Sequence, residues 1–290
     1  MTKRFYFLLG IFSIILIAPL LLSPEGTLHP LATKTLLVYP FAPLLSLLIL
    51  YRKDWTKLWS TLSLSRGKTT LWILLKTWIF WNVLFYLGLI IAFILGIYSW
   101  DFELKGFSDW LSNSLNEYSE KNQIPIPLLP LTITQMAQLS VAASFILPII
   151  LFPFFFLQEV VWRDWLPKQY PMSSLKELLF LNGIWGIWQV PLIILGQIYT
   201  NIWLGIPAII IASSIQGTLL YLTTSETESI WAASIARCVI FTSYPLVIIF
   251  HSTKTLSTDS LLIGLHGVFS LILMLGYIFW QQKKKAKNAS

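Results

Sequence analysis

Few side chains in this 290-residue chain could do chemistry. The polar or ionisable groups lying within apolar runs are Lys76, Gln158, Glu159, Arg163, Gln189, Gln216, Arg237 and His266. A charged group costs about 2.5–3.5 kcal/mol at a bilayer centre, so each is a candidate functional residue. Glu159 could take a proton from water, whereas the carboxamides of Gln158 and Gln189 could not. Arg237 stays protonated and offers only donors. Glu159 and Arg163 lie four apart, which places them on one helix face as an ion pair. Lys76 sits near the end of its run and reads as a snorkelling lysine. Gln216, beside Gly217, reads as a hydrogen-bonding group at a close helix contact. The histidines fall on the other side: His29 and His251 in outside loops, His266 toward the outer half of its run. Cys238 adjoins Arg237, and a neighbouring cation can lower a thiol pKa. With no histidine base nearby, it reads as a buried, non-nucleophilic thiol.

The elements that must position these groups are membrane helices. The chain is 56% hydrophobic and 11% charged, with a mean hydropathy of +0.71, whereas a soluble domain carries about 25% charged residues. Apolar runs predict an all-α, polytopic helical bundle of about eight spans, at 5–23, 35–51, 71–99, 136–157, 178–196, 202–223, 229–250 and 260–280. The first run follows Lys3 and Arg4 but leads into Ser23-Pro24-Glu25 without a small-x-small cleavage site, so it reads as a retained span. The longer connection at 100–135 holds a candidate amphipathic helix before a proline-rich exit. Three regions follow: the first three spans with that connection (1–135), a core of four spans (136–250), and the last span with a basic tail (251–290). The single cysteine excludes an internal disulfide framework.

Basic residues set the orientation. With the N-terminus inside, Lys3, Arg4, Arg52, Lys53, Lys57, Arg66, Lys68, Arg163, Lys168, Lys176, Lys283, Lys284, Lys285 and Lys287 all face the cytoplasm. Only Lys34, Lys105, Lys121 and Lys254 lie outside. Both termini are therefore expected in the cytoplasm, and the net charge of +7 is a topology signal rather than a nucleic-acid footprint. In this frame Arg237 lies roughly 12 Å and Gln189 roughly 16 Å below the cytoplasmic edge, at about 1.5 Å per residue. Gln158 falls at a similar depth if its helix continues through QEVVWRDWL. Gly183 and Gly186 on the fifth span, and Ala232, Ala233, Ser234 and Ala236 on the seventh, would let helices approach around a shared polar pocket. Arg237 needs partners at that depth; Gln158, Gln189 and Glu159 are the expected ones.

Three segments, QEVVWRDWLP (158–167), GIWGIWQVP (183–191) and SIWAASIARCVIF (229–241), resemble, in order, the motifs of the CPBP family. This family comprises type II CAAX prenyl proteases and bacteriocin-processing or immunity proteins, also called the abortive-infection family. Its motifs read Glu-Glu-x-x-x-Arg, Phe-x-x-x-His and His-x-x-x-Asn, and the match covers about residues 136–250. The segment QGTLLYLTTSETES before the third motif is similar as well. The resemblance implies an intramembrane endopeptidase whose first glutamate activates water with help from the histidines. Here those positions hold Gln158, Gln189, Arg237 and Phe241; only Glu159 and Arg163 are retained.

Positioned acid–base catalysis is worth about 10²–10⁴-fold, and these replacements remove it. Zinc would need His, Cys or carboxylate ligands, of which Glu159 alone remains, so neither a metal nor a cofactor is expected. The expected role is that of a non-catalytic relative in a bacterial plasma membrane, binding a membrane protein or peptide, with an immunity or regulatory function conceivable by analogy. The alternative is an active endopeptidase built around Glu159.

Overall fold

The computed structural model describes residues 2–22, 34–35, 38–62, 69–94, 100–122, 131–170, 174–195, 202–250 and 276. Every regular element among them is helical. The helices are α1 (Thr2–Leu22), α2 (Ala42–Leu50, entered through a 3₁₀ turn at Tyr39–Phe41), α3 (Trp55–Thr61), α4 (Leu71–Ile94) and α5 (Lys105–Asn122). Then come α6 (Ile133–Glu159), which runs through a π-helical turn at Val160–Trp165 into α7 (Leu166–Gln169), and finally α8 (Leu175–Ile194), α9 (Ile202–Thr227) and α10 (Ile230–Ile249).

Five helices are long and apolar enough to cross a membrane: Thr2–Leu22, Leu71–Ile91, Ile133–Gln169, Leu175–Ile194 and Ile202–Thr227. Two other expected spans correspond to shorter apolar helices, Tyr39–Leu50 and Ile230–Ser243. The first of these covers about 20 Å, short of the ~30 Å hydrocarbon core. The eighth expected span, 260–280, lies outside the described residues apart from Gly276. The expected amphipathic helix is present as α5.

Local chemistry sets the helix boundaries. Ser174 and Glu177 form a reciprocal capping box at the start of α8, and Thr132 with Gln135 does the same for α6. Asp54 caps α3 through the Lys57 backbone N–H, which holds its exposed carboxyl below the usual range. Ser174→Ala is expected to lower stability by about 1 kcal/mol, read as a fall in the thermal midpoint of the purified protein in detergent. Between α9 and α10 the chain reverses at Glu228, whose φ of 51° is left-handed. Ser229 then accepts from the backbone N–H of Ala232 and bonds Thr69 at 2.8 Å, which fixes where α10 begins.

The chain divides into two compact units. The first (1–78 and 151–237) packs α8 against α9 most extensively, with α1 and α2 alongside. On α1 the buried positions Phe5, Leu9, Ser13, Ile17 and Leu20 recur every three to four residues. Ser13 accepts from the Trp188 indole at 3.1 Å, and Tyr39 stacks on the Trp188 ring with centroids 5.0 Å apart.

Glycine sets the α8–α9 distance. A Cβ on Gly186 would sit 2.6 Å from the Ile210 Cα, and one on Gly217 would run into the Asn182 side chain. The small residues of α8 therefore face α9 in this unit.

The second unit (79–150 and 238–290) has a core of Leu104, Phe107, Ala137 and Ile249. The apolar face of α5 lies there, with Leu111 alongside. Ser144 donates to the Val141 carbonyl, so the Tyr86 hydroxyl is the donor in their 3.1 Å contact. Pro148 cannot donate to the Ser144 carbonyl four residues back. The Thr242 hydroxyl, bonded mainly to the Cys238 carbonyl at 2.9 Å, lies within 3.4 Å of that orphaned oxygen.

Candidate functional site

The candidate groups converge where α6 becomes the π turn. A π-helical turn inserts an extra residue into the helical register and commonly marks functional sites. Here all six residues, Val160 to Trp165, are buried, and the helix does continue past Gln158 as the depth argument required.

Glu159 is fully buried at 0% exposure and Arg163 is 3% exposed. They form the expected ion pair, with Arg163 Nε 2.9 Å from a Glu159 carboxylate oxygen. Arg163 Nη1 also donates to the Asn182 side-chain oxygen on α8. Because a guanidinium has no acceptor, it fixes the Asn182 amide orientation. The Asn182 NH₂ donates to the Leu178 carbonyl at 2.8 Å and to Thr218 on α9 at 3.3 Å. One side chain thus ties the π turn to both members of the closely packed α8–α9 pair.

Trp185, one turn further along α8, is the platform of the site. The Arg163 guanidinium carbon lies 4.9 Å from the centre of its ring, and that of Arg237 lies 4.4 Å away. Both distances suit cation–π attraction, worth about 2 kcal/mol or more when desolvated. Arg237 also acts electrostatically on Glu159, so two guanidinium groups surround one carboxylate. Arg237 is only partly buried.

Gln158 is buried beside Glu159. Gln189, one turn beyond Trp185, gives its NH₂ to Ser213 on α9 at 2.8 Å and, more weakly, to the Trp185 carbonyl at 3.5 Å. It braces α8 against α9 through its donor end. Phe241, the last motif position, is 58% exposed. Cys238 is a buried thiol 3.8 Å from the Leu147 carbonyl. Lys76 is exposed and stacks on Trp72, one turn earlier, at 4.9 Å. At the close helix contact it is Gly217 that meets Asn182, while Gln216 is partly buried beside it. His29, His251 and His266 lie outside the described residues. Among the described residues, no three His, Cys, Asp or Glu side chains cluster as a metal site would need.

Asn182, Trp185, Ser213 and Thr218 were not among the candidates from the sequence. A signal for two of them existed: Asn182, Trp185 and Gln189 follow at intervals of three and four, which is one helix face. No protein-family model matches the chain, and no curated protein matches it.

Chemically, the cluster holds one carboxylate, two guanidinium groups, two buried carboxamides and a tryptophan platform. Its only proton acceptor of consequence is Glu159, whose charge is engaged by Arg163. Such an arrangement holds helices together and presents hydrogen-bond donors; it is not a poised general base.

Proposed function

We propose that this chain is a multi-pass membrane protein of about eight spans with both termini in the cytoplasm. In this reading it is a catalytically silent CPBP-type protein of a bacterial plasma membrane that binds a membrane peptide or protein partner. The observation that carries the reading is the state of Glu159: fully buried and ion-paired to Arg163, with Arg237 close enough to act on it. A base for water activation needs a free lone pair near its target and a second group to receive or return the proton. Gln158 and Gln189 stand where the resemblance would call for such groups, and a carboxamide supplies neither function. An immunity or regulatory role follows only by analogy with other members of that family.

The test compares newly formed protein N-termini in membranes with and without the expressed wild-type chain. No chain-dependent cleavage, together with a specific crosslinked partner, is the expected result. Cleavage products that depend on the chain would overturn the reading in favour of a Glu159-centred endopeptidase.

A further inference from the structure

Buried polar atoms in folded proteins nearly always have hydrogen-bond partners, so orphans concentrated at one place call for an explanation. Here they gather around the Glu159–Arg163 pair. The indole N–H groups of Trp162 and Trp185, Nε and Nη2 of Arg163, and both Glu159 carboxylate oxygens make no hydrogen bond to the described residues. The 2.9 Å Arg163–Glu159 approach is thus an electrostatic contact without hydrogen-bond alignment. Glu159 is compensated by charge; the donors are not.

The charge count points the same way. Arg163 and Arg237 supply two positive charges against the single negative charge of Glu159, in a segment where an uncompensated charge is costly. Water could satisfy an indole N–H but would leave the net charge in place. A monoanion would answer the spare donors and bring the cluster to neutrality, whereas a dianion would overshoot. The guanidinium fork matches a planar carboxylate, and Trp185 offers a flat apolar wall beside it. Arg237, only partly buried, is the edge by which a ligand could enter.

We infer that the cluster of Trp162, Arg163, Trp185 and Arg237 binds the carboxylate of a membrane-resident monoanion carried on an apolar tail. This names the ligand class for the binding role proposed above and rests on that reading. A peptide C-terminus and a fatty acid share the chemistry.

The test uses the purified full-length chain in detergent. Its thermal midpoint is titrated with a short Leu/Ala peptide as free acid or C-terminal amide, and with oleate or oleyl alcohol. The expected result is that at least one acid binds about tenfold more tightly than its neutral analogue, a gap of about 1.4 kcal/mol. Stabilisation by the peptide acid alone identifies a peptide source, and by oleate alone a lipid source. Trp185→Phe keeps a ring beneath both guanidinium groups and removes one donor. It should weaken the acid several-fold and leave the neutral analogue unchanged. Equal affinity for acid and neutral forms would overturn the carboxylate site while leaving a binding role intact. Unchanged acid binding in Trp185→Phe would overturn the assignment of these donors. Chain-dependent proteolysis, read separately, would instead remove the reading beneath both.

Discussion

Glu159→Ala is expected to destabilise the protein by about 3–5 kcal/mol, the usual result of removing one partner from a buried ion pair. The cost is large because Arg163, at 3% exposure, cannot turn to water. It would keep Asn182 and the Trp185 ring, neither of which carries a negative charge. Arg237 would lose the same counter-charge. The measurement is an equilibrium unfolding titration in mixed micelles. The pattern across variants carries more information than any single value. Replacing Glu159 and Arg163 together by leucine should recover part of the loss, since an apolar pair of similar volume is often no worse than a buried ion pair. Recovery should stay incomplete while Arg237 remains, and improve when Arg237→Gln is added. A single Glu159→Ala protein as stable as wild type would show that the pair does not hold this region together.

Gly186→Ala is the second substitution with a large expected effect. The added Cβ would lie 2.6 Å from the Ile210 Cα and 3.0 Å from the Ile209 carbonyl oxygen. Both are backbone atoms, so no side-chain rotation relieves the clash and α8 and α9 must move apart. Overpacking costs about 1–3 kcal/mol, and the upper end is expected here because separation also strains the Gln189–Ser213 and Asn182–Thr218 bonds. Gly10→Ala is the control: nothing lies within 4 Å of its Cβ position. There alanine should be neutral or stabilising by about 0.5–1 kcal/mol, because glycine is a poor helix residue. Equal effects at the two positions would show that helix propensity, not the α8–α9 contact, governs them.

The site was legible to the extent that its determinants are local. Glu159 and Arg163 are four residues apart on one helix, and any helical continuation past Gln158 brings them together. Arg237 was marked out by its cost in an apolar run, before any neighbour was known. Its ring partner was not legible, because Trp185 lies 52 positions earlier and is one of 14 tryptophans, most with equally good reason to sit in a membrane helix. Gln189 shows the same limit: it was marked as polar and buried, yet its NH₂ is committed to Ser213 on the neighbouring helix.

Composition and run length by themselves determined that the chain is helical and apolar on the scale of a bilayer, since backbone groups in lipid must be satisfied within the segment. Helix starts at Thr132 and Ser174 were also written locally, in their capping boxes. Only the tertiary structure decided which helix faces which. On a soluble protein the apolar stripe of a helix names its buried side, but in a bilayer the lipid-facing side is just as apolar. Rotation is then set by small residues and scattered polar groups whose partners lie far away in sequence. So it was the tertiary fold that turned Gly186 and Gly217 to the α8–α9 seam, placed Asn182 between Arg163 and Thr218, and set two guanidinium groups against one tryptophan.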